Sequence, residues 1–147
     1  MPIVDIQIRD KRFWRLIRPR SFCRYVINTA WMGDPVAEVS VVLADDDFVH
    51  QLNKKYRGKD KSTNVLSFEN EGLCAGDIVV AYGVLVQEAK EQKKTFRSHL
   101  AHLLVHGTLH LQKYDHLTDR QANKMEKLET KIMQQLGYPD PYKEDAC

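Results

Sequence analysis

The sequence lacks the features that mark secreted and membrane-spanning proteins. Its three cysteines are Cys23, Cys74 and Cys147, and it has no Cys-x-x-Cys pair, which argues against a disulfide framework and a thiolate zinc site. No apolar run approaches the ~20 residues of a membrane span, and the first residues lack the apolar segment of a secretory signal. We therefore expect a cytoplasmic protein with no disulfide partner and no membrane partner.

What the sequence does contain fits one ordinary globular domain. Hydrophobic residues make up 43% and charged residues 29% of its 147 residues, a typical balance. A chain of this size buries roughly 70% of its unfolded surface, so it needs no metal merely to hold a core together. No repeat or linker divides the sequence, and we expect a single domain over residues 1–147.

Hydrophobic periodicity predicts about four strands and five helices. The predicted strands are residues 3–8, 38–43, 65–68 and 77–82, and the predicted helices open at Pro19, at residues 45–47, at 83, at 98 and at Thr118. Thr118 begins a T-x-x-Q capping box, and Gly137 and Pro139 follow the last helix. The mixture predicts an α+β fold in which helices pack on a mixed sheet, with the strand order left open.

Positive charge is concentrated in two segments, although the formal net charge is only +2. The first segment holds Arg9, Lys11, Arg12, Arg15, Arg18, Arg20 and Arg24, and the second holds Lys54, Lys55, Arg57, Lys59 and Lys61. Each cluster is either a solvated face or a surface for a polyanion, because phosphate neutralisation needs local positive charge.

A histidine pattern in residues 102–116, HLLVHGTLHLQKYDH, points to a metal site. His106 and His110 are four residues apart on a predicted helix, so their Cβ atoms lie about 5–6 Å apart and both rings can reach one ion. If the chain turns after Gln112, His116 returns as a third ligand. Three protein ligands leave one position open, which is typical of a catalytic zinc site on a helix and the turn after it.

The histidine pattern has other interpretations. An HxxxH pair also arises by chance on helix faces, so the third histidine carries the prediction. His102 shares a helix stripe with His106 and is a ligand, a group that supports a ligand, or a surface residue; we favour support or packing. We expect His99, on the same stripe, to be solvated.

The sequence shares the histidine spacing of zinc peptidases but lacks their catalytic glutamate. Peptidases with an H-E-x-x-H motif use its glutamate as the general base, and Gly107 occupies that position here. An ion at this site would still acidify water or polarise a phosphoryl oxygen.

These residues resemble the YbeY family of bacterial single-strand endoribonucleases. HGTLHLQKYDH, residues 106–116, resembles the family signature HGxLHLxGYDH, and YRGKDKSTNVLSFE, residues 56–69, is similar to its YRGKDxPTDVLSF block. GDIVV at 76–80 and the segment 125–142 also resemble family segments, so the resemblance covers roughly residues 38–142.

The resemblance implies one zinc-type ion per chain, bound by His106, His110 and His116 in a cleft open to RNA. Imidazole ligands also suit other divalent transition metals. The resemblance further implies that Arg57 and His106 are catalytic. The implied activity is metal-dependent cleavage of single-stranded RNA in rRNA processing, including 16S rRNA 3′-end maturation, and in ribosome quality control. The implied partners are rRNA and the ribosome or its small-subunit proteins.

The sequence departs from the family pattern at two positions. Lys113 stands where glycine is usual, and a left-handed turn there costs a non-glycine residue about 1–2 kcal/mol. Asn64 stands where aspartate is usual, which weakens any catalytic role for a carboxylate, although an amide still forms hydrogen bonds.

The remaining candidate residues have a functional and a structural interpretation. Arg57 either holds a phosphate oxygen bidentately or forms a surface salt bridge. Ser67 and Phe68 line the substrate groove, with packing the alternative for Phe68. Asp115 either orients His116 or caps the following helix.

Two rival functions stay open from the sequence. A metallopeptidase or other metal hydrolase would cleave unstructured protein and leave RNA intact. A non-enzymatic, ribosome-associated module with structural zinc would require a fourth protein ligand, for which His102 is the candidate.

Overall fold

The computed structural model describes residues 2–33, 35, 37–69 and 74–142. Cys147 and the side chain of Cys74 lie outside the described part of the chain. Cys23 is a free, buried cysteine, and its burial raises the pKa of the thiol to about 12. None of the helices within these residues combines the length and the apolar content needed to cross a bilayer.

The described residues form four strands and five α-helices. The strands are β1 (Ile3–Ile8), β2 (Glu38–Ala44), β3 (Val65–Glu69) and β4 (Cys74–Ala81). The helices are α1 (Pro19–Ala30), α2 (Asp46–Arg57), α3 (Tyr82–Glu91), α4 (Phe96–Leu111) and α5 (Asp119–Gln135). A short 3-10 helix, Lys11–Arg15, lies between β1 and α1 and was not predicted. The predicted α+β class, with a four-stranded mixed sheet and five helices, is confirmed.

The sheet has the strand order β1-β2-β4-β3. Strands β1, β2 and β4 are parallel, and β3 runs antiparallel to β4 at one edge. Gly76 allows β3 to approach β4, because a Cβ at that position would lie 2.1 Å from the carbonyl oxygen of Phe68. The glycine also has a φ of 150°, which L side chains rarely adopt.

Alternation along the strands divides the core between the two faces of the sheet. In β2, Val39, Val41 and Leu43 face a large core that also contains apolar side chains of α1, α4 and α5. The opposite face carries a smaller cluster, in which Val79 of β4 packs with Val49 of α2. Helix α4 is therefore held between the sheet and the other helices by its buried leucines.

Side-chain caps define where the helices begin. Asp45 accepts a hydrogen bond from the amide of Phe48 at 2.8 Å, as the acidic residues 45–47 predicted. The capping box of Thr118 and Gln121 is present at the start of α5, which confirms that prediction. Helix α4 begins earlier than the predicted residue 98, because the side chain of Thr95 accepts a hydrogen bond from the amide of Ser98.

The turn after α4 brings the chain back toward the helix. Lys113 has a φ of 72°, so the predicted left-handed conformation is present. Its amide donates to the carbonyl of His110 at 2.9 Å, and the amide of Tyr114 donates to Leu109 at 3.1 Å. These hydrogen bonds satisfy the last carbonyls of the helix and direct the chain toward His116.

Replacing Lys113 with glycine should stabilise the fold. Glycine removes a left-handed penalty of about 1–2 kcal/mol and adds roughly 0.5–1 kcal/mol of unfolded-state entropy. We therefore expect Lys113→Gly to raise the free energy of unfolding, measured in urea, by about 0.5–1 kcal/mol. Lys113→Ala is the control, because it removes the same charge and keeps a Cβ. Equal effects of the two substitutions would contradict the backbone explanation.

Candidate metal centre

Helix α4 and the turn after it bring three histidines together. His106 and His110 lie one helical turn apart, and their Nε2 atoms are separated by 3.0 Å. His116 follows the left-handed turn, and its ring centroid lies 5.6 Å from that of His106 and 5.1 Å from that of His110. One ring nitrogen from each of the three residues lies within 4.8 Å of the other two.

The donor set fits a single transition-metal ion. Two nitrogen ligands of a tetrahedral ion at ~2.0–2.1 Å lie about 3.3 Å apart, close to the observed separation of the His106 and His110 nitrogens. Burial, together with the electrostatic influence of the neighbouring His106 and His116, lowers the pKa of His110 to about 4. A ring that stays neutral near pH 7 keeps the lone pair that a metal ligand needs.

A buried glutamate, Glu129 of α5, supports the histidines from behind. Its side chain is 0% exposed. One carboxylate oxygen accepts a hydrogen bond from Nδ1 of His106 at 2.7 Å, and the other accepts one from Nε2 of His102 at 2.8 Å. The hydroxyl of Tyr142 donates to the same carboxylate.

The hydrogen bonds keep this carboxylate ionised and orient His106. Burial would raise the pKa of Glu129, but the hydrogen bonds from His102 and His106 outweigh burial and lower it to about 2. Because Nδ1–H of His106 donates a hydrogen bond to the ionised carboxylate, Nε2 carries the lone pair that faces His110.

Sequence reasoning missed Glu129, although a signal for it exists. Position 129 falls on the apolar face of α5, where Met125 and Ile132 are also buried. A carboxylate at a core position of an amphipathic helix requires a buried donor, and the histidines of α4 were the available donors.

The other histidines of α4 differ in what they contact. Nε2 of His102 is directed at Glu129, and His102 does not belong to the cluster of His106, His110 and His116. The expectation that His99 is solvated was wrong. His99 is 2% exposed, and its Nε2 lies 2.9 Å from a carboxylate oxygen of Glu88. Helix α3 covers this end of the stripe and supplies the acceptor.

Arg57 lies at the end of α2, on the same cleft as the three histidines. It is the last residue of the helix, and Gly58 follows it in the left-handed conformation with a φ of 66°. The guanidinium donates to the carbonyl oxygen of Ser67 at 2.6 Å and lies 5.3 Å from the ring centroid of Phe68. These two contacts hold the arginine against β3.

Asn64 and Asp115 also lie on the cleft, but they contact other groups. The amide of Asn64 donates to Glu88 at 3.0 Å, and its side-chain oxygen accepts from the amide of Val65. Asp115 accepts from the backbone amide of His116, and its carboxylate lies 3.7 Å from Nδ1 of that ring. The cap of α5 is Thr118, so Asp115 does not cap that helix.

The cleft is large enough for an extended substrate. Its volume is about 790 Å³, and β3 from Val65 to Glu69 forms one wall. The opposite wall contains the three histidines, and Lys59 and Lys61 contribute positive charge. A histidine cluster that could hold a metal ion, an arginine and two lysines therefore share one open cleft beside an edge strand.

A family model for Endoribonuclease YbeY matches residues 7–137, a range that contains Arg57 and all three clustered histidines. The chain belongs to the YbeY family. The resemblance drawn from the histidine signature is thus confirmed. YbeY proteins are endoribonucleases by the description of the family, which supports a nuclease function at the level of the family.

A solved structure is similar to this YbeY chain over almost its whole length. It is the solution structure of TM1509 from Thermotoga maritima, which is 26% identical. The match covers 96% of this chain and 99% of that chain, with a TM-score of 0.55. The likeness extends the relationship to the overall fold.

Substituting Glu129 should weaken metal binding. We expect Glu129→Gln to lower the affinity for Zn²⁺ about 10–100-fold, because the neutral amide no longer polarises and fixes His106. Competition against a chromophoric chelator measures this affinity directly. Glu126→Gln is the control, since Glu126 is exposed on the same helix. An unchanged affinity in Glu129→Gln would contradict the role assigned to the buried carboxylate.

Proposed function

We propose that this chain is a metal-dependent endoribonuclease that cleaves single-stranded RNA in cytoplasmic rRNA processing. The finer assignments are 16S rRNA 3′-end maturation and ribosome quality control, with rRNA and the ribosomal small subunit as partners. The observation that carries the proposal is the sharing of one cleft by the histidine cluster and Arg57. Membership of an endoribonuclease family supports it.

His106, His110 and His116 would hold the ion, for which zinc is our assignment. When bound, the ion would supply Lewis-acid polarisation of a phosphoryl oxygen and acidification of water. Glu129 keeps Nε2 of His106 available for binding, because its carboxylate accepts a hydrogen bond from Nδ1–H of that ring.

Arg57 would bind the phosphate that is cleaved. Its contacts with Ser67 and Phe68 restrict the side chain while leaving guanidinium N–H groups for a ligand. A planar guanidinium donates two parallel hydrogen bonds to phosphate oxygens and stabilises the charge that grows in the transition state. Lys59 and Lys61 would bind flanking phosphates of the RNA backbone.

The peptidase rival conflicts with the packing of Gly107. A Cβ at this position would lie 3.1 Å from Cγ2 of Ile78 in the sheet, so the glutamate that follows the first histidine in peptidases would require Ile78 to shift. The structural-zinc rival needs a fourth protein ligand. Within the described residues, the cluster holds three histidines, and His102 instead contacts Glu129.

Cleavage of labelled single-stranded RNA tests the proposal. Protein stripped of metal should be inactive and should regain activity with Zn²⁺, and His110→Ala should stay inactive. Arg57→Ala should lower kcat about 10²–10³-fold. Arg57→Lys should recover only part of this loss, because lysine cannot form the bidentate contact.

The control is Lys127→Ala, which removes one positive charge from an exposed site outside the cleft and should keep wild-type activity. An unstructured polypeptide serves as the second substrate. RNA left intact with every divalent transition metal would rule out the nuclease assignment, and a wild-type rate in Arg57→Ala would rule out the role given to Arg57. Cleavage of the polypeptide alone would favour the peptidase.

A further inference from the structure

A second cleft opens beside the histidine cluster. Its volume is about 650 Å³, and it shares Asn64, Val65 and His106 with the first cleft. Its remaining wall comes from the end of α3, the start of α4 and the segment after α5. The two clefts therefore adjoin at these residues, and a ligand at the histidine cluster can extend into the second cleft.

Glu88 presents a fixed carboxylate to the second cleft. Its side chain is 29% exposed, and one oxygen accepts hydrogen bonds from Nε2 of His99 at 2.9 Å and from the amide of Asn64 at 3.0 Å. Burial lowers the pKa of His99, so its neutral ring donates a hydrogen bond from Nε2–H that holds the carboxylate in place. The other oxygen accepts a longer hydrogen bond of 3.3 Å from the amide of Asn64.

Asn64 fits this arrangement better than the aspartate usual in the family. A carboxylate at position 64 would lie within about 3 Å of the Glu88 carboxylate, and two like charges at that distance repel strongly. The amide instead donates to Glu88 and fixes its direction. The departure at Asn64 therefore permits a partly exposed, oriented acceptor beside the histidine cluster.

The rest of the second cleft supplies two lysines, the carboxylate of Glu91 and an aromatic surface. Lys93 and Lys94 lie on its wall, and the ammonium of Lys94 donates to the carbonyl oxygen of Pro141 at 2.6 Å. Tyr142 is 45% exposed, and its ring stands at 88° to that of His102. A planar ring, a hydrogen-bond acceptor and cations together match the base and the phosphates of a nucleotide.

We propose that this second cleft binds one unpaired nucleobase of the RNA, next to the phosphate held at the histidine cluster, and that Glu88 selects bases that carry an amino group. This inference rests on the proposed function and adds a base preference to it. Guanine, adenine and cytosine each offer amino hydrogens to a carboxylate. Uracil offers a single N–H that lies between two carbonyl oxygens. The carboxylate repels these oxygens.

The same contact gives a physical reason for a preference for single strands. A base in a duplex has its Watson–Crick edge occupied and its faces stacked, so it cannot reach Glu88 or the ring of Tyr142. An unpaired base enters the second cleft without that penalty. Selectivity for single-stranded RNA would then come from base binding as well as from the shape of the first cleft.

The first test uses a uridine oligomer and three variants with one guanosine, adenosine or cytidine at a fixed internal position. Wild-type protein loaded with Zn²⁺ should cleave beside the substituted base with a kcat/KM about tenfold above that for the uridine oligomer. Glu88→Gln should lose most of this preference. Glu91→Gln, which removes a charge from the same helix and the same cleft, should keep it.

The second test measures binding without cleavage. Calorimetry with the four nucleoside monophosphates should give wild-type affinities about tenfold weaker for uridine monophosphate than for the others, and Glu88→Gln should narrow that difference. Glu88→Asp keeps the charge but shortens the side chain, and it should also lose preference. Thermal unfolding establishes that each variant is folded.

The outcomes separate this inference from the nuclease assignment. Cleavage of all four oligomers at equal rates, or equal losses in Glu88→Gln and Glu91→Gln, would overturn the base pocket and leave the nuclease standing. A base preference in binding, with no RNA cleaved by the wild-type protein, would support the pocket and remove the nuclease assignment.

Discussion

The arrangement of the candidate metal centre depends on the hydrogen bonds of one buried carboxylate, that of Glu129. A charge with no exposure to water is tolerated only when hydrogen-bond donors surround it, and His102, His106 and Tyr142 supply those donors. The donors come from α4 and from the segment after α5, so the same contacts join two helices and the end of the described chain. The orientation of His106, the proposed metal ligand, is a consequence of satisfying one buried charge.

Helix α4 can carry this site because one face packs in the core and another faces the cleft. Gly107 packs against Ile78 of the sheet, and the leucines around it are buried in the main core. The next stripe of the helix carries His106 and His110 toward the cleft. A helix fixed by a close-packed core restricts the positions of its histidine side chains. Such preorganisation favours one coordination geometry for an ion over the alternatives.

Local patterns predicted much of the fold and of the metal cluster. The strands and the caps at Asp45 and Thr118 follow from a few neighbouring residues, which is the range over which periodicity and turn chemistry act. The left-handed turn at Lys113 was expected from the family resemblance, in which glycine is usual at that position. Glu129 and the burial of His99 did not follow, because their partners lie 23 and 11 residues away along the chain. Contacts across that separation depend on helix packing, which no local pattern encodes.

The position of β3 at the edge of the sheet explains why Arg57 sits where it does. An edge strand leaves backbone carbonyls unpaired, and such an edge invites pairing with another chain. The guanidinium of Arg57 donates to the carbonyl of Ser67 and lies over Phe68, so it covers part of that edge. The same strand forms a wall of the cleft, which brings the arginine to the metal centre. One side chain thus covers part of an exposed edge and places a cation on the cleft, because the edge strand of the sheet is also a wall of the cleft.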